Sequence, residues 1–285
     1  MVLIQVIVGG LLLGAIYALF SSGLTLIWGM MNFINFAHGE FVMLGMYVAL
    51  LVVVWLGGGP AAFGFAAAIA LFALGVAVYA LLIRHVVRGP MLAQILSSFG
   101  LALLLRYTAF WIFSANFVSL PQTSLAGTIA IGGIYLPVAQ VVAGLVAVAL
   151  TIALHLLLTR SALGSRLLAV AEDRAAAMLM GIRPDRMQAL TWGLSAGAAG
   201  IAGALLATAY PWSPSVGETF GLLAFVTVAL GGFGSVLGSL YAGLMIGLIE
   251  ALSAYWLGAI YKDIVVYGLF VALLWLRPQG LMGKA

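Results

Sequence analysis

MVLIQVIVGGLLLGAIYALFSSGLTLIWGMMNFINFAHGE, residues 1–40, runs for 39 residues without a charged side chain and then closes on Glu40. About a quarter of the residues in an ordinary soluble domain are charged, so a stretch this oily belongs in a bilayer. There, about 20 apolar residues make one spanning helix. Residues 3–28 read as such a span. Asn32-Phe33-Ile34-Asn35-Phe36-Ala37-His38-Gly39-Glu40 then reads as a polar interruption before the next one.

The rest of the chain extends the pattern. Of 285 residues, 65% are hydrophobic and only 6% charged, which leaves no material for the surface of a separate soluble domain. Further apolar stretches cover 41–56, 61–83, 91–113, 138–158, 189–210, 221–237, 239–254 and 264–276. In lipid every backbone group must be satisfied internally, so each is expected to be helical. The fold class read from this is an all-α integral membrane protein, a polytopic bundle of about eight transmembrane helices with broken or re-entrant segments. Residues 1–285 form one transmembrane domain in this reading. The amino terminus lacks the positive n-region of a signal peptide, so no cleavage is expected. The absence of cysteine excludes disulfides, thiolate metal sites and thiol nucleophiles.

Basic residues set the expected orientation. Arg84 and Arg88 share one loop, five arginines from Arg160 to Arg186 share another, and Arg277 with Lys284 mark the tail. Cytoplasmic loops are enriched in Lys and Arg, so all three are placed in the cytoplasm, which also accounts for the net charge of +4 without nucleic acid. Residues 114–137, uncharged and ending in Gly-Gly and Pro turn signals around Thr-Ile-Ala-Ile, are expected to form an external loop with a hairpin. Small residues recur four apart at Gly10/Gly14, Gly193/Gly197, Gly234/Gly238 and Gly243/Gly247, the spacing that lets helix backbones approach closely in lipid.

The polar interruptions carry the functional reading. A carboxylate at the centre of a bilayer costs at least about 2.5 kcal/mol, so Glu40 should face protein, a watery path or the interface. Non-helical backbone at membrane depth is tolerated where it is buried or lines a cavity, and broken helices of this kind mark transport routes. An interfacial turn solvated by headgroups is the competing account of the same residues. A second interruption, Gly231-Gly232-Phe233-Gly234-Ser235, breaks the seventh stretch. The two do not sit at matching offsets, so no duplication is read from them. Gln94, Ser97 and Ser98 share a helix face and fit either a polar path or helix-to-helix hydrogen bonding. Arg106 and Glu250 each read as a group snorkelling to the interface or as half of an intramembrane ion pair.

Residues 160–188 differ in kind. Ser161 can cap a helix that reads LGSRLLAVAEDRAAAMLM and stops at Gly181, with Pro184 just beyond. Leu163, Leu167 and Val170 make one apolar stripe, while Arg166, Asp173 and Arg174 surround it with charge. Such a helix is either a surface connector or a grip for a partner. No GxxxxGK[ST] phosphate loop is present, so any use of ATP falls to another subunit. No metal cluster or catalytic motif accompanies His38, His85 or His155, and a Ser235 nucleophile with His38 as base would lack an orienting group.

NFINFAHGEFVMLGMYV, AEDRAAAMLMGIRPDRMQALTW, VALGGFGSVLGSLYAGLMIGLIEAL, YKDIV and RPQGLMG together resemble the permease subunits of branched-chain amino acid ABC importers, specifically the Liv-type subunit that opens with an NFAHG segment. The resemblance covers nearly the whole chain. It implies a prokaryotic inner-membrane importer with a second, related but distinct permease, two cytoplasmic ATPases that bind ATP and Mg, and an extracytoplasmic binding protein; no cofactor is expected in this chain. It implies that Asn32, Asn35, His38, Gly39 and Glu40, with Gly231, Gly232, Gly234 and Ser235, shape the translocation path. It also implies that Arg166, Glu172, Asp173, Arg174 and Gly181 belong to the loop that couples to the ATPase. Shorter loops than in better-known members leave room for urea or short amides as cargo. A stand-alone secondary transporter with a Glu40–His38 proton relay, an intramembrane enzyme using Ser235 or Glu40, and a scaffold subunit remain the other classes.

Overall fold

A computed structural model describes residues 1–121, 127–277 and 279–282. The expected tail residue Lys284 lies outside them. The helices are α1 (Val2–Met31), α2 (His38–Leu56), α3 (Pro60–Val78), a π-helical turn (Tyr79–Ile83) running into the short α4 (Arg84–Val86), α5 (Met91–Phe113), α6 (Val138–Arg160), α7 (Ala162–Glu172), α8 (Arg174–Leu179), α9 (Pro184–Leu206), α10 (Val216–Gly231), α11 (Val236–Leu257) and α12 (Lys262–Leu276). Among the described residues seven helices are long and apolar enough to cross a bilayer, and α10 is a shorter apolar one. The chain is a polytopic all-α membrane protein.

Two landmarks define the ends of the bundle. At one end, β1 (Thr128–Ile131) and β2 (Ile134–Pro137) form the expected hairpin. It turns through Gly132 and Gly133, whose φ values of 57° and 84° suit the left-handed turn of a two-residue hairpin loop. Tyr135 N donates to Gln5 Oε1, so α1 begins at this hairpin end. At the other, basic end Leu26 of α1 packs with Leu158, Leu167 and Val236 beneath α7.

Three of the four expected small-residue pairs lie on packed helices; the fourth, Gly234/Gly238, does not, because Gly234 stands in the turn before α11 at φ 84°. Gly10 and Gly14 of α1 lie against Gly247 and Gly243 of α11, and a methyl group on Gly14 would stand 2.5 Å from Gly243 O. Gly193 of α9 packs on Phe72 and Val76 of α3, while Gly75 of α3 packs on Trp192. Both pairs run antiparallel, α1 with α11 and α3 with α9.

These contacts are two instances of one arrangement. α1 descends from the hairpin end to the basic end; residues 32–37 then turn back into the bundle, and α2 starts at mid-depth, where His38 bonds to Phe20 of α1. α9 ascends the other way, residues 207–215 turn back, and α10 starts at mid-depth, where Gly217 and Gly221 lie against Gly39. The unit α1–α2–α3–α5 is thus repeated in inverted direction by α9–α10–α11–α12, with α6, α7 and α8 as the link. The counterpart of the 32–37 interruption is therefore 207–215, not the glycine run 231–235. The apolar stretches expected at 189–210 and 221–237 hid it, because the first ends as helix at Leu206 and the second starts at Val216.

The helix expected over 161–181 is in fact two. Ser161 caps α7 as expected, accepting from Gly164 N at 3.0 Å. Asp173 then leaves helical geometry, at φ −146° and ψ 104°, and caps α8 through Ala175 N and Ala176 N. A residue whose carboxylate satisfies two free amides is a helix start rather than a helix interior. Gly181, at φ 77°, closes α8 as expected.

Candidate functional site

Two helix N-termini meet in the middle of the bundle, and each carries the same dipeptide at its start: Gly39-Glu40 in α2 and Gly217-Glu218 in α10. Gly39 is required by packing. A Cβ there would lie 1.9 Å from Gly217 O and 2.4 Å from Gly221 N, both backbone atoms of α10. At Gly217 the obstruction is instead the Glu40 carboxylate, at 2.3 Å.

Arg106 of α5 joins the two carboxylates. Its Nε and Nη2 donate to Glu40 Oε1 at 3.0 and 2.6 Å, and its Nη1 donates to Glu218 Oε2 at 2.9 Å. The side chains grade outward, from Glu40 at 2% exposure through Arg106 at 19% to Glu218 at 65%. With two carboxylates and one guanidinium, the cluster's formal charge is −1. Each helix N-terminus presents roughly half a positive charge, so the two together offset it. That balance explains how the cluster survives at mid-depth, and it requires both half-helices to start there.

The polar interruption is built to hold this geometry. Asn32 ends α1 in a left-handed conformation, at φ 50°, which Asn tolerates better than most residues, and its side chain is exposed. Asn35 Oδ1 accepts from Ala37 N at 3.1 Å, turning the chain into α2. Ser98 Oγ donates to Ile34 O at 2.9 Å and accepts from Phe36 N at 3.3 Å, so α5 supplies the partners that this non-helical backbone lacks. Of the residues Gln94, Ser97 and Ser98, Ser98 alone reaches the interruption; Gln94 Nε2 bonds to Val87 O and Gly89 O. His38 Nε2–H donates to Phe20 O at 2.7 Å. Asn35 Nδ2, His38 Nδ1 and Glu40 Oε2 are buried without a protein partner.

The glycine run lies elsewhere, at the basic end. Gly231 ends α10, Gly232 and Gly234 adopt φ 96° and 84°, and Ser235 starts α11 by accepting from Gly238 N at 3.0 Å. Gly234 N donates to Thr25 Oγ1, and its Cα packs on Gly29, so the run is seated against α1. The tail closes it: Leu281 N and Met282 N donate to Leu230 O and Gly231 O. These carbonyls at the end of α10 have no acceptor role inside the helix. Ser235 Oγ and His38 have different partners and different depths, so they do not form a nucleophile–base pair.

The residues named for coupling cluster at the basic end with uneven exposure. Arg166, Glu172 and Asp173 are exposed. Arg174 turns inward, donating to Asp185 Oδ1 at 2.8 Å and to Gln188 Oε1 at 3.3 Å, while Tyr79 donates to the same Gln188 oxygen at 2.7 Å. This chain of bonds ties α8 to the π-helical turn at the end of α3. Beyond it Leu179 and Met180, at 89% and 82% exposure, form an apolar tip. Arg166, Arg183 and Arg186 line a groove of about 400 Å³ beside it. Sequence reading missed Glu218 and the role of Ser98; the repeated Gly-Glu at the head of an apolar run was the available signal for the first. Arg106 and Glu250 are both in ion pairs, the latter with Lys262, and Glu250 also accepts a hydrogen bond from Tyr17 Oη at 2.8 Å.

Residues 6–274 match the family described as branched-chain amino acid transport system / permease component. The chain is 33% identical to the high-affinity branched-chain amino acid transport system permease protein BraD of Pseudomonas aeruginosa, over 99% of this chain and 96% of that one. It is 32% identical to LivH of Escherichia coli K12 over the same shares. It is 27% identical to a probable LivH of Methanocaldococcus jannaschii, over 98% of this chain and 92% of that one. No solved structure matches the chain.

Proposed function

The chain belongs to the branched-chain amino acid transport permease family, and from that premise we propose that it forms the translocation path of an ATP-driven importer for branched-chain or related hydrophobic amino acids. It is a transport subunit and not an enzyme. The observation that carries the reading is the meeting of two half-helices at mid-depth around Glu40, a geometry that places charge where a bilayer would otherwise forbid it. The path runs along Asn35, His38, Gly39 and Glu40, with Asn32 and the run Gly231, Gly232, Gly234 and Ser235 at its basic end. ATP and Mg are bound by two partner ATPases, and a related second permease and a separate binding protein complete the importer in the prokaryotic inner membrane.

In this reading the basic end is cytoplasmic, and the 160–188 loop is the grip of the ATPase. Large apolar side chains held out in water, as at Leu179 and Met180, favour a protein partner; Arg166 lines the groove beside Met180, and Glu172 and Asp173 are exposed in the same loop. Force on α8 reaches the membrane through Arg174, Gln188 and Tyr79, and alternating access follows as the bundle rocks about the path. The test is Arg166→Ala with Glu172→Ala, both outside the packed interface. Substrate-stimulated ATP hydrolysis and uptake should fall at least fivefold while the chain still inserts and assembles. Stimulated hydrolysis equal to wild type would remove the coupling role.

A further inference from the structure

The geometry points to the Arg106–Glu218 pair as a transit station for the amino acid itself, which binds by exchanging partners with the pair. This inference rests on the importer reading and assigns two residues that reading leaves out. Glu40 is the fixed member, buried and holding Arg106 through two donors. Glu218 is the loose member, bound through Nη1 alone and largely exposed. A substrate carboxylate can take Nη1 from Glu218, and the released Glu218 carboxylate can take the substrate ammonium. One ion pair becomes two, no proton moves, and neither charge of the zwitterion is stranded.

The surroundings fit an aliphatic tail. Leu222 stands one turn beyond Glu218 on the same face of α10 and is exposed. Phe225 follows, with the exposed Phe36 ring 5.2 Å away. A charged head at Arg106 and Glu218 therefore leaves the side chain over Leu222 and Phe36, toward the basic end. A neutral amide or urea would use neither exchange, so the station selects zwitterions with apolar side chains.

The complete importer in proteoliposomes, with binding protein and labelled leucine outside and ATP inside, tests this. Because the binding protein sets the apparent affinity, Glu218→Gln should lower kcat at least tenfold with KM within twofold, and Glu218→Asp should recover a third or more of the rate. Leu222→Trp, which narrows the apolar side without touching charge, should shift preference from leucine to valine at least threefold. Glu218→Gln within twofold of wild type, a Glu218→Asp variant as slow as Glu218→Gln, or an unchanged leucine-to-valine ratio in Leu222→Trp would overturn the station alone. A wild-type complex that imports no amino acid overturns the importer reading and the station with it.

Discussion

Residues 32–37 and residues 207–215 both return the chain from one end of the bundle to mid-depth, yet they hold their backbones there by different means. The first uses side chains: the Asn35 amide, the Ser98 hydroxyl and the His38 ring each satisfy a main-chain group. The second uses main chain on main chain, with Trp212 and Val118 exchanging hydrogen bonds at 2.8 and 2.9 Å. The Trp212 ring fills the space beside Tyr47, and Ser213 bonds Ser215. Backbone that is paired by other backbone needs no polar residue, so the same architectural element can be conspicuous in one half of a sequence and silent in the other.

The comparison predicts unequal damage from equivalent substitutions. The largest effect is expected at the carboxylates. Glu40→Ala removes the buried partner that takes two of the three Arg106 donors, and breaking a buried pair costs about 3–5 kcal/mol, whereas Glu218→Ala removes only the exposed partner, held by one. Thermal unfolding of the purified chain should show a large drop for the first and a small one for the second; equal drops would mean that the cluster is not graded from inside to outside.

Next come the glycines. Gly39→Ala drives a methyl into backbone of α10 and should cost about 1–3 kcal/mol or more, while Gly217→Ala meets a side chain, the Glu40 carboxylate, rather than backbone. Unfolding midpoints that rank Gly217→Ala as the worse variant would contradict the packing described. The smallest contrast lies in the hydroxyls. Ser98→Ala removes a partner of a re-entrant backbone and should cost about 1 kcal/mol; the buried Ser213 bonds only the hydroxyl of the exposed Ser215, which water can satisfy in its place, so Ser213→Ala should cost less than Ser98→Ala. Denaturant or thermal melts of both resolve the difference.

Legibility in the sequence follows the same physics. The spans, the hairpin, the Ser161 cap and three of the four close-packing glycine pairs were readable because each depends on a local pattern: hydropathy, a turn dipeptide, a hydroxyl before a helix, a spacing of four. Glu40 was readable as a group needing company, but Arg106 was named only as one of two possibilities, since pairing 66 residues apart leaves no local mark. Asp173 was read as helix interior although it stands before Arg-Ala-Ala-Ala, where an N-cap is favoured. The inverted repeat was not read, because the second turn-back, Tyr210-Pro-Trp-Ser-Pro, blends into apolar sequence and only Gly217-Glu218 echoes the first half. Pro211 and Pro214, which cannot continue a helix, were the remaining hint.

Because the cluster takes its members from three distant helices, synthesis delivers them in sequence. Arg106 leaves the ribosome 66 residues after Glu40, and Glu218 another 112 later. At about 5–20 residues per second these are delays of roughly 3–13 s and 6–22 s. During the first delay α2 carries an unmatched carboxylate, and during the second the matched pair still lacks the opposing helix end that balances it. A first half released into lipid before the second is made would therefore carry an electrostatic cluster that is still incomplete.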